Sequence, residues 1–191
     1  MKKLSGYLTL LVLLSGLSAC VPAATHTHRG SHQGSRIGAG DRIGYVMDRQ
    51  EQDLRQALAG TRAASVQRDQ NLLVATFRSK LLFGRKSVTL KPGSNDELDR
   101  VAQVLNRYPG THIRIEGHTN AKGPERDNLR LSARQAQTFK QALVQRGVAP
   151  HRIFAIGYGE SRMIASNHAA NARVVVVIEP RRQAYGFADQ Y

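Results

Sequence analysis

The sequence predicts an α+β domain in which two helices pack on a mixed β-sheet in the order β-α-β-α-β-β, behind a long polar N-terminal stretch. Three observations lead there. Apolar residues recur at helical spacing in two stretches, Leu98, Val101, Ala102 and Leu105, then Leu129, Ala133, Ala136, Phe139 and Leu143. Short strand-like runs at 72–77, 111–116, 153–156 and 174–178 interleave with them. Glycine and proline punctuate the joins, at Lys91-Pro92-Gly93, Pro109-Gly110 and Gly147.

The first 19 residues read as an export leader. Lys2 and Lys3 form a charged start, and Leu8 to Leu14 is an apolar run far shorter than the roughly 20 residues that span a bilayer as a helix. Leu17-Ser18-Ala19-Cys20 follows, small residues running into the only cysteine of the chain. This resembles a bacterial lipobox, which implies acylation of Cys20 and anchoring rather than spanning, since acyl chains contribute about 0.8 kcal/mol per buried methylene. Val21 in place of Asp resembles the outer-membrane sorting pattern of Gram-negative lipoproteins, so the expected location is the outer membrane, facing the periplasm. A single cysteine also excludes an internal disulfide.

Residues 20–44 read as a flexible tether, rich in Gly, Ser and Thr and poor in large apolar side chains, with a reach of roughly 25–30 Å. His26, His28 and His32 lie in it without a Cys or carboxylate partner at ligand spacing, so no metal is expected. In residues 45–70, Met47, Leu54 and Leu58 suggest a lead-in helix over 45–59 that ends at Gly60. Two strand runs, 64–68 and 72–77, flank a polar Asp69-Gln70-Asn71 turn and suggest a hairpin.

Within the domain proper, residues 71–180, Ser94 and Glu97 have the spacing of a capping box for the first helix. Thr111 to Glu116 alternates, with Ile113 and Ile115 on one face. Val174 to Ile178 is unbroken and β-branched, which suits a strand covered on both faces. Residues 181–191 form a C-terminal tail.

Charge narrows the partners. Lys and Arg number 28 against 14 acidic residues, a net +14 that favours a polyanion. Nucleic acid is the default for a cytosolic chain this basic, and the leader argues against the cytosol. Neither an acid pair nor a metal-ligand set at useful spacing accompanies His118, so catalysis and cofactors are not expected; His118 reads as a turn residue capping local backbone.

Several spaced motifs carry a resemblance. Gly117-His118-Thr119, the pattern Asn128, Leu131, Ser132, then Gly147-Val148 with Arg152-Ile153, Gly157-Tyr158-Gly159-Glu160, and Asn171 with Arg173 occur in the order found in the OmpA C-terminal domain, as in Pal and the YiaD-type lipoproteins. Residues 44–51 resemble the lead-in helix of the YiaD-type group. The resemblance implies non-covalent association with peptidoglycan, through a pocket between the GHT turn and the second helix that takes the diaminopimelate of the stem peptide. Carried over to this chain, the site residues are Phe83, Thr119, Asn120, Asn128, Leu131, Gln135 and Arg173.

The chain departs from the family pattern inside that set. The family Asp after GHT is Asn120, the family Arg of the second helix is Gln135, Phe-Asp becomes Phe83-Gly84, and one Arg near the last strand becomes Ala172. Losing both charges weakens binding of a zwitterionic end by roughly 2–3 kcal/mol, because hydrogen bonds to charged groups are the stronger class. Lys122, Arg126 and Arg130 lie near the turn and offer other cations, while Arg134 sits about 100° around the helix from Gln135. A second reading keeps the fold and gives up the ligand: a structural subunit of an envelope-spanning secretion complex, similar in layout to the OmpA-like lipoprotein of the Dot/Icm type IVB system, with other envelope proteins as partners.

Overall fold

The computed structural model describes residues 39–120, 122–164 and 168–181. The leader, Cys20, the histidines of the tether and the C-terminal tail beyond residue 181 therefore lie outside the described residues. Among those described, no helix is long and apolar enough to cross a membrane.

Helix α1 (Ala39–Ala57) leads into the hairpin β1 (Ala64–Asp69) and β2 (Leu72–Arg78), followed by the single turn α2 (Ser79–Leu82). Helix α3 (Asn95–Arg107), strand β3 (Thr111–His118), helix α4 (Glu125–Gln145) and strand β4 (Ile153–Gly157) come next. A short α5 (His168–Asn171) and strand β5 (Arg173–Pro180) complete the described chain. The fold is α+β with one mixed sheet of order β1-β2-β5-β3-β4. β3 and β4 run parallel, while β5 pairs antiparallel with both β2 and β3.

The sheet's two faces differ because side chains alternate along each strand. Ile113 and Ile115 of β3, Val174, Val176 and Ile178 of β5, and Leu73, Ala75 and Phe77 of β2 share one side by register and are buried. There they form a single core with Met47 and Leu54 of α1, Leu98, Val101 and Leu105 of α3, and Phe139 and Leu143 of α4. Phe77 and Phe139 meet at 5.3 Å between ring centroids, joining sheet to helix. On the opposite side, Val175 and Val177 are also buried, flanked in register by Glu116 and Arg114, whose side chains bond to each other at 2.8 Å. The unbroken valine run thus matches a strand covered on both faces.

Three expectations change. Helix α1 starts at Ala39, six residues ahead of Tyr45, so residues 39–44 are helical where a tether was expected; Ile43 is buried in the core and draws that first turn in. The capping box at Ser94 does not form. A 3-10 turn over Pro92–Ser94 feeds straight into α3, so the Ser94 hydroxyl turns back to donate to Lys91 O at 2.6 Å, and Glu97 instead accepts from the Thr61 hydroxyl at 2.6 Å. Finally, the inner stripe of α4 is polar at its start. Leu129 is 49% exposed and Ala133 is exposed, while Asn128, Ser132 and Gln135 are buried.

Candidate functional site: a basic recess between the β3 turn, helix α4 and the 79–86 segment

Two glycines set how closely α4 lies on the sheet. Gly117 and Gly157 are register partners at the ends of β3 and β4. A Cβ on Gly117 would stand 2.1 Å from Ser132 O, and one on Gly157 would stand 2.3 Å from Ala133 N. With no side chain at either position, the α4 backbone comes down on the strand ends, and the Ser132 hydroxyl accepts from Gly159 N–H at 2.8 Å. This close approach explains the polar inner stripe. Small or amide side chains fit where a large apolar one has no room.

The same approach brings the β3 turn beside α4 and opens a recess of about 280 Å³. Its walls include His118, Thr119, Asn120 and Lys122 from the turn, Leu131 and Gln135 from α4, and Ser79, Lys80, Gly84, Arg85 and Lys86 from the segment after β2, with Ala172 completing it. Of the site residues carried over by resemblance, Thr119, Asn120, Leu131 and Gln135 come together in this recess. Phe83 is fully buried, bridged to Leu90, and its neighbour Gly84 forms the wall instead.

Asn128 and Arg173 are not in the lining. Asn128 straps the start of α4 to the Gly-Tyr-Gly-Glu loop, its amide donating to Glu160 Oε2 at 2.6 Å and to Gly123 O at 3.4 Å. Arg173 is buried, with its guanidinium donating to Asn171 O and Arg162 O. Burial lowers the Arg173 pKa, an effect that the charge of Glu116 opposes. Arg130 and Arg134 border an adjoining groove together with Lys86 and Asp127.

Gln135 has a positional task. Its amide donates to Ser87 O at 2.8 Å, pinning the 84–89 loop against α4. The loop is further closed by Ser87 N–H to Gly84 O at 3.1 Å and Thr89 N–H to Ser87 Oγ at 3.0 Å. Lys86 in this loop has φ +51°, a left-handed conformation that costs a side-chain-bearing residue roughly 1–2 kcal/mol.

His118 departs from its expected part as a cap for local backbone. It ends β3 with its ring buried and stacked on Tyr158 at 5.5 Å and 21°, and neither ring nitrogen has a hydrogen-bond partner among the described residues. Nε2 lies 3.5 Å from Glu116 Oε2. Burial first, then the charge of Arg173, push the imidazole pKa down to about 4, against the opposing pull of Glu116. The folded chain thus refuses a proton that the unfolded chain accepts once pH falls below about 6.5. Stability is therefore full above that value and falls as pH drops towards 4. In acid unfolding monitored by circular dichroism, His118→Phe is expected to flatten this limb; an unchanged limb would assign it to carboxylates alone.

Of the segment 79–86, sequence reading singled out only Phe83 and Gly84 and missed the cations beside them that line the recess. The signal was the density of cations, Lys80, Arg85 and Lys86, in a stretch with no helical or strand period.

Comparison with known proteins fits this geometry. Residues 82–176 match the OmpA family. The chain is 36% identical over 149 residues to YiaD of Escherichia coli, a lipoprotein by its name, covering 75% of this chain and 67% of YiaD. The chain belongs to the OmpA family. Another member, the peptidoglycan-associated lipoprotein of Rhizobium meliloti, is 36% identical over 104 residues, 52% of this chain and 59% of that one. Among solved structures, the cell wall anchor of the type VI secretion system of Pseudomonas aeruginosa superposes with a TM-score of 0.59 at 26% identity, over 66% of this chain and 96% of that one. The glycine-seated helix and all of the recess lining except Ser79 and Lys80 lie within the part of the chain that matches the OmpA family.

Proposed function

We propose that this chain is an outer-membrane-anchored lipoprotein that holds peptidoglycan non-covalently through the basic recess. The observation that carries the reading is the convergence of Thr119 and Asn120 of the β3 turn with Leu131 and Gln135 of α4 on one cavity in an OmpA-family fold. The names of the Rhizobium and Pseudomonas relatives, one associated with peptidoglycan and one a cell wall anchor, support it. In this reading Cys20 carries the lipid, residues 1–19 are removed, and the segment before α1 spaces the domain from the membrane. The chain acts as a binding module, not an enzyme.

Purified sacculi are expected to retain the chain beyond a charge-matched basic control protein, and added stem peptide is expected to release it. Retention equal to the control would remove the reading. Acylation is checked separately, by metabolic labelling with a fatty acid, which Cys20→Ala is expected to abolish.

The likeness to a secretion-system cell wall anchor favours a second reading, in which the domain is a structural subunit of an envelope-spanning secretion complex. Crosslinking in the envelope separates the two: capture of peptidoglycan without protein neighbours leaves only the first.

A further inference from the structure

Every ionisable side chain in the recess lining other than His118 is a cation. Lys80, Arg85, Lys86 and Lys122 border it, no Asp or Glu does, and none of the four forms an ion pair with another described residue. The carboxylates nearby in sequence are placed elsewhere. Glu116 is bonded to Arg114, and Asp127 borders the adjoining groove beside Arg130 and Arg134. At the turn itself stands Asn120, whose amide is neutral. Beside it, the buried Thr119 hydroxyl has no hydrogen-bond partner among the described residues.

The loop that supplies two of the cations is held in place at a conformational penalty. Lys86 keeps its left-handed φ because Gln135 and the turn bonds of residues 84–89 fasten the loop.

Resting on the proposed peptidoglycan reading, we propose that the recess selects a stem-peptide end that presents carboxylates without a free ammonium. Such an end is one whose diaminopimelate amine has already been acylated in a cross-link. A free diaminopimelate end carries an ammonium beside its carboxylate. In a cavity whose charged lining residues are all cations, that ammonium meets repulsion and finds no carboxylate acceptor in the lining, while acylation removes the charge and leaves the carboxylate for Lys80, Arg85, Lys86 and Lys122. The chain then favours mature, cross-linked wall over strands with unreacted amines.

Calorimetric titration of the chain with a stem tripeptide ending in diaminopimelate, and with the same peptide acetylated on its free amine, tests this. The acetylated peptide is expected to bind about tenfold more tightly. Asn120→Asp is expected to shrink or reverse that preference by supplying an acid for the ammonium. Lys86→Gly is expected to weaken both peptides while leaving thermal stability equal or higher, because glycine adopts the left-handed conformation without strain. Equal affinities, or tighter binding of the free amine, would overturn the selectivity and leave peptidoglycan binding standing. Failure of both peptides to bind a chain that sacculi still retain would show that the recess is not the contact. Failure of both peptides and of sacculi would end the parent reading, and this one with it.

Discussion

Gly117→Ala is expected to lower the free energy of unfolding by about 3 kcal/mol, at the upper end of what overpacking a close contact costs. The added methyl would stand 2.1 Å from Ser132 O and 2.8 Å from Ser132 C, and both are main-chain atoms of α4. A flexible side chain could swing aside, but a helix backbone has to retreat as a body. That retreat would also break the Gly159 N–H bond to Ser132 Oγ and widen the recess. Urea unfolding reads the effect as a lower midpoint. Gly93→Ala serves as the control, since nothing lies within 4 Å of a Cβ there. Equal midpoints for the two variants would mean that α4 is not seated as closely as described.

The second large effect is expected at Arg152, which is almost fully buried at the start of β4. Its guanidinium donates to Thr111 O at 2.8 Å, Leu105 O at 3.1 Å and Tyr108 O at 2.8 Å, and to the Thr111 hydroxyl at 3.0 Å. One planar fork thus closes the end of α3 and the start of β3, where helix carbonyls have no partner of their own. Arg152→Ala strands these acceptors in the interior, and a loss of about 3–4 kcal/mol follows from leaving several buried groups unsatisfied. Arg152→Lys is expected to recover less than half, because a single ammonium cannot reach three carbonyls arranged for a flat guanidinium. Chemical denaturation of the three proteins checks the order; a lysine variant as stable as the parent would show that charge, not geometry, holds the junction.

Much of the architecture could be read from period alone. The two helices, the hairpin and the valine strand stand within a few residues of where apolar spacing puts them, because burial on one side imposes a fixed repeat on each element. Period misled where contact was main chain to main chain. The Leu129 and Ala133 positions fit a helical stripe, yet Gly117 and Gly157 let the backbone itself fill that interface, and the stripe rotated to Asn128, Ser132 and Gln135. The capping box failed for a related reason, since a preceding 3-10 turn had already ordered the residue that was to cap.

The candidate site divides along similar lines. Motif order located the turn and helix walls, Thr119, Asn120, Leu131 and Gln135. The third wall, Lys80 to Lys86, has no period to betray it and is placed by long-range contacts, the buried Leu82 and Phe83, the Ser79 N–H bond to Ala172 O and the Gln135 bond to Ser87 O. That Gln135 would hold a loop was not legible, because its partner is 48 residues away in sequence.

The last strand among the described residues, β5, sits between β2 and β3. The hairpin and the segment that follows it touch the β3-α4-β4 unit through the Phe77–Phe139 contact and the Gln135 bond to Ser87 O, but β2 and β3 share a sheet only through residues 173–180. Completing the sheet therefore depends on long-range pairing, the kind that makes folding slow. A chain truncated before Arg173 would lose the strand between β2 and β3 and, with it, Val174, Val176 and Ile178 of the core.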